Sequence, residues 1–70
     1  MDDRLTWEDS YAIALALMRR HPRVQLEQVS LEMIYSWTIE LPDFNDDISL
    51  VNDSILMAIF REWFEEVNPL

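Results

Sequence analysis

The chain has 70 residues, half of them apolar, and carries 14 Asp and Glu against 5 arginines with no lysine, a net charge of −9. That length holds one small domain, near the size at which folding buries only about 60% of the surface of the unfolded chain, and the apolar content is enough for one compact core. Without cysteine the chain by itself builds no disulfide, thiolate zinc site or cysteine-ligated cluster, and without glycine it builds no phosphate-cradling loop.

The opening stretch, MDDRLTWEDS, has acids where a secretory signal has a basic segment followed by an apolar one. Apolar runs throughout fall far short of the roughly 20 residues that span a bilayer, so a soluble, cytoplasmic protein is expected. Thr6 and Asp9 have the spacing of a capping box, with Asp in place of Glu or Gln, and predict a helix beginning at TWED. Trp7, Ile13, Ala14 and Leu17 give it one apolar face; Pro22 disfavours helix at His21, and Arg19, Arg20 and His21 complement the negative helix end. In RVQLEQVS, Val24, Leu26 and Val29 alternate with polar residues, the pattern of a short extended segment at most.

Ser30 caps a second helix whose stripe is Met33, Ile34, Trp37 and Leu41, stopped by Pro42. Asn52 caps a third, with Ile55, Leu56, Ile59, Phe60, Trp63 and Phe64 on a broad apolar face. The expected fold is mainly α, a compact three-helix domain over residues 1–70 with at most a minor strand element, related in form to a helix-turn-helix.

Acidity of this degree argues against nucleic acid and anionic membranes, which select basic chains, and points to cations or a basic protein surface. The plain alternative is that the charge only keeps a small domain soluble. DFNDDISLVNDS begins like a calcium loop with Asp43, Asn45 and Asp47, but Ile48 stands where that loop needs glycine and Ser54 where it needs glutamate. A looser set of hard oxygen ligands for iron, magnesium or manganese is available in Glu40, Asp43, Asp46 and Asp47, against the alternative of a solvated loop pinned to the core by Phe44. Glu62, Glu65 and Glu66 form a second acidic cluster on the last helix. No nucleophile motif surrounds any serine, and the one histidine, His21, lies beside arginines, so a catalyst is not expected.

LTWED, Pro22, VSLEMIYSW, LPDFNDD, NDSILMAI and WFEE together resemble the IscX family of small acidic proteins of bacterial iron–sulphur cluster assembly, over about residues 5–66. The resemblance implies a modified winged-helix-like domain acting as an adaptor or regulator. It implies binding to the cysteine desulfurase IscS through an acidic face, at a basic site shared with frataxin and ferredoxin, and weak, exchangeable iron binding; the chain is expected to be a monomer. The matching acids are Asp9, Glu40, Asp43, Asp46, Asp47, Glu65 and Glu66. Of these, Glu40, Asp43, Asp46 and Asp47 are the candidate iron ligands, and Asp9, Asp43, Asp46, Asp47, Glu65 and Glu66 the candidate partner contacts. Arg23, Gln25 and Leu26 depart from the acidic stretch usual after the first proline, and Asn45 replaces an acid. The alternative is an acidic winged-helix-like interaction module with an unrelated basic partner and no physiological metal.

Overall fold

A computed structural model describes residues 4–68 of the chain. Three helices make up most of it: α1 (Ser10–Arg20), α2 (Leu31–Ile39) and α3 (Asp53–Val67), with single 3₁₀ turns at Leu26–Gln28 and Ile48–Leu50. The mainly α, three-helix reading of the sequence holds.

Two of the three expected caps form as read. The Ser30 hydroxyl accepts the Met33 amide at 3.1 Å, and the Asn52 side-chain oxygen accepts the Ile55 amide at 2.9 Å, each satisfying a donor that a helix start leaves without an intrahelical partner. The third differs. α1 begins at Ser10, not at TWED, because Thr6 and Asp9 satisfy each other in a separate turn. Asp9 Oδ2 accepts both the Thr6 amide (2.9 Å) and the Thr6 hydroxyl (3.1 Å), while the Asp9 amide donates to the Thr6 carbonyl (3.0 Å). The expected short extended segment is only partly present: Gln25 and Val29 are extended, but between them the chain closes a 3₁₀ turn at Leu26–Gln28, with Gln28 and Val29 amides donating to the Gln25 and Leu26 carbonyls, and Val24, Leu26 and Val29 pack on the core.

α3 packs against both other helices, and the core gathers one stripe from each: Ile13, Ala14 and Leu17 of α1, Ile34 of α2, and Leu56, Ile59 and Trp63 of α3, with Trp7 and Leu41 from the connections. Thr38 is the buried polar residue of this core; its hydroxyl donates to the Ile34 carbonyl at 2.7 Å, so burial leaves no bond unmade. Trp37 is half-buried, with His21 stacked on it at 4.0 Å and Trp63 at 6.2 Å. His21 is thus part of the packing at the end of α1. Phe64, placed on the apolar face by its spacing, is instead 48% exposed.

Candidate acidic interaction face

The loop between α2 and α3 is fastened to the segment before α1. Leu5 and Phe44 form an isolated parallel bridge: the Leu5 amide donates to the Asp43 carbonyl at 2.8 Å and the Asn45 amide to the Leu5 carbonyl at 2.9 Å. Phe44 meets the buried Trp7 ring edge to face, 4.6 Å between centroids, so it pins the loop to the core as the sequence suggests. One step further on, Asp46 Oδ2 accepts the Trp7 amide and the Asp47 carbonyl accepts the Trp7 indole N–H, both at 2.9 Å.

These bonds sort the acids by task. Asp46 is half-buried, and its second oxygen accepts the Asp47 amide at 2.7 Å; expected to project toward a partner or metal, it clamps the backbone instead. Asp47 is exposed, and its Oδ1 accepts both the amide (2.9 Å) and the hydroxyl (2.7 Å) of Ser49, starting the Ile48–Leu50 turn. Donation by the Ser49 hydroxyl, and then by the Ser49 amide, stabilises the carboxylate and holds its pKa below the ordinary aspartate value. Asp9 is half-buried in its turn with Thr6. Glu40 and Asp43 are exposed, as are Glu65 and Glu66 near the end of α3.

Glu66 is brought toward the start of α1 by the Tyr11 hydroxyl, 3.4 Å from its Oε2. The end of α3 thus reaches the first turn of α1 through Tyr11, while the 43–47 loop is bonded to Leu5 and Trp7 in the segment before that helix, so the acids come from three stretches of chain. Arg19 and Arg20 border the loop on its other side, where they line a small cleft with Leu5, Leu41, Pro42 and Asp43.

The fit to iron is limited by the same geometry. Among the described residues no three Asp, Glu or His side chains converge into a group that could hold a metal ion. Glu40, Asp43, Asp46 and Asp47 lie within eight residues of sequence but do not form a preorganised chelate, and Asp46 already serves two backbone amides. Sequence reasoning missed the residues that set this arrangement, namely the Trp7 amide and indole and the Tyr11 hydroxyl. Their partners lie 39, 40 and 55 positions away, so no local pattern signals them.

A protein-family model described as iron-sulphur cluster assembly matches residues 5–68. The chain belongs to the IscX family. Its match runs almost the full length of the described chain and includes all three acidic stretches. Among curated relatives, the uncharacterised Pseudomonas aeruginosa protein PA3808 is 36% identical over 62 residues, spanning 89% of this chain and 94% of its own length. IscX membership assigns the chain to iron–sulphur cluster assembly. Among the described residues no helix is long and apolar enough to cross a membrane.

Proposed function

We propose that the chain is an accessory adaptor of iron–sulphur cluster assembly that docks its acidic face on the cysteine desulfurase IscS, at the basic site that frataxin and ferredoxin also use. It acts by occupying that site and not as a catalyst. The observation that carries the reading is the exposure of the carboxylates Asp43, Asp47, Glu65 and Glu66 on a chain of net charge −9, with Glu66 held beside the start of α1 by Tyr11. Such a field speeds encounter with a positive surface. Each exposed ion pair contributes only about 0–1 kcal/mol, so affinity rests on several formed together and falls as salt screens them.

The iron part of the reading is correspondingly loose. Hard oxygens of Glu40, Asp43 and Asp47 attract a hard cation without enclosing it, so any iron exchanges freely and docking needs none. The absence of a three-donor group among the described residues also favours the second reading, in which an unrelated basic protein is the partner and no metal is physiological.

The test is a titration of IscS at several salt concentrations with the wild-type chain and with an Asp43→Lys, Glu65→Lys, Glu66→Lys triple variant. These side chains are exposed and their reversal leaves the Trp7–Asp46 clamp in place. The expected result is a complex that weakens steeply with salt and is weakened by about tenfold or more by the reversals. Absence of a complex at low ionic strength ends the desulfurase reading, and full-strength binding by the triple variant removes the acidic face from it. NMR shifts that do not move on adding ferrous or ferric iron favour the metal-free reading.

A further inference from the structure

α3 is apolar on more than one side. Leu56, Ile59 and Trp63 face the core, whereas Met57, Phe60, Phe64 and Val67 recur at i, i+3, i+7 and i+10 on another face, with Met57 59%, Phe64 48% and Val67 44% exposed. Phe60 and Phe64 lie nearly parallel, 6.5 Å between centroids. Together with Val29 and Leu31 from the start of α2, the stripe lines an open trough of about 630 Å³ that Arg61 also borders. The hollow continues past Phe60 and Phe64 to Val67, where Glu27 stands on one rim; Glu65 stands beside Phe64 on the other. From Met57 to Val67 the stripe runs about 15 Å, close to three helical turns. Scattered apolar residues on a surface are ordinary, but a contiguous stripe with a charged rim marks a surface that meets something.

The charges select the occupant. A second copy would set Glu27 and Glu65 of one chain against the same face of another and bring two bodies of −9 together, which like-charge repulsion opposes. An anionic membrane is repelled for the same reason. What fits is a segment with an apolar stripe of matching length and basic flanks, the helix-in-groove arrangement in which anchors at i, i+3, i+4 and i+7 enter an apolar channel.

We propose that the trough between α3 and the Val29–Leu31 segment receives an amphipathic helix of a partner protein. The apolar side chains of that helix seat on Met57, Phe60 and Phe64, its lysines or arginines meet Glu27 and Glu65, and an acidic residue meets Arg61. The two surfaces meet at Glu65, which borders both; Asp43 and Glu66 take no part in the trough, and Phe64 takes no part in the acidic face.

The experiment is an NMR titration of the isotope-labelled full chain with a synthetic helical peptide that has leucines at i, i+3, i+4 and i+7, lysines on its flanks and one glutamate. A control peptide of equal charge carries serine for each leucine. The expected result is saturable shifts at Val29, Leu31, Met57, Phe60 and Phe64 with the leucine peptide, and affinity about tenfold or more above the control. Phe64→Ser, at a largely exposed position, is expected to remove that difference while leaving helical circular dichroism and IscS titration as in wild type. Glu65→Lys is expected to weaken binding severalfold. The proposal is overturned if the serine peptide binds equally well, if the shifts centre on residues 43–47, or if Phe64→Ser leaves affinity unchanged. Self-association in sedimentation that Phe64→Ser abolishes would assign the trough to a second copy and overturn it too.

Discussion

Replacing Asp46 with alanine tests whether the acidic loop is held by its own carboxylate. The side chain accepts the Trp7 amide at 2.9 Å on one oxygen and the Asp47 amide at 2.7 Å on the other, and Trp7 is only 3% exposed, so water is poorly placed to replace the first of these. Leaving a buried amide without an acceptor costs about 1–3 kcal/mol. The Asp47 amide lies at the exposed edge, where solvent substitutes for the lost bond, so the net loss is about 2 kcal/mol. A chain of this size has about 4–10 kcal/mol in total, and each kcal/mol moves the melting temperature of such a domain by about 4–8 °C. Asp46→Ala is therefore expected to lower it by about 8–16 °C. Asp46→Asn, which keeps one acceptor oxygen, loses about 1 kcal/mol. Asp43→Ala, at an exposed side chain, stays within about 0.5 kcal/mol of wild type. Thermal and urea unfolding followed by circular dichroism and tryptophan fluorescence measure all three. A melting temperature for Asp46→Ala within about 2 °C of wild type would refute the clamp.

Ser49→Ala removes the hydroxyl donor from Asp47, and its carboxyl is expected to titrate nearer the ordinary value of about 3.9, read from the side-chain carboxyl carbon shift. Because the folded value is depressed, the stabilisation from the Ser49–Asp47 contact is complete above the unfolded value and is lost as pH falls through the folded one. Wild type and Ser49→Ala should therefore differ near neutrality and converge in strong acid. Asn52→Ala removes the α3 cap and is expected to cost about 1 kcal/mol, whereas Asn52→Asp is near neutral; urea unfolding reads both. Ile59→Ala, at a fully buried position, is expected to cost about 2–5 kcal/mol, leaving a chain that is partly unfolded at 37 °C by the same measure.

Much of the fold is written in short-range patterns. Ser30 and Asn52 act where their spacing to the apolar stripes puts them, because a cap and its amide are three residues apart. Ile34, Leu56, Ile59 and Trp63 are buried as their helical period requires. The misreadings share a cause, which is that a local signal had more than one way to be satisfied. Thr6 and Asp9 close a turn as readily as they start a helix, and the alternation at Val24, Leu26 and Val29 is met by a 3₁₀ turn at Leu26–Gln28 between extended residues, with all three side chains against the core. Phe64 has the period of a core residue, but α1 and α2 together cover only part of α3. For the site, the sequence names the acids and says little about their use. Whether an aspartate faces solvent or accepts an amide is decided by what arrives from elsewhere, and Trp7 arrives at Asp46 from 39 residues away. Proximity along the chain likewise overstated the four candidate iron ligands, since residues strung through a loop that is pinned by its backbone need not point at a common centre.

The contact between the Trp7 indole and the Asp47 carbonyl makes the acidic loop optically legible. Trp7 stacks near Tyr35 and touches Phe44, whereas Trp37 and Trp63 sit beside each other, with His21 against Trp37. In a chain with phenylalanine at 37 and 63, the remaining tryptophan emission would come from the one indole that is tethered to the loop. Its colour and yield would then follow any movement of residues 43–47 as a partner or a cation arrives, without an added dye. Events at the acidic loop could in this way be timed in a stopped-flow instrument using a fluorophore the protein already carries.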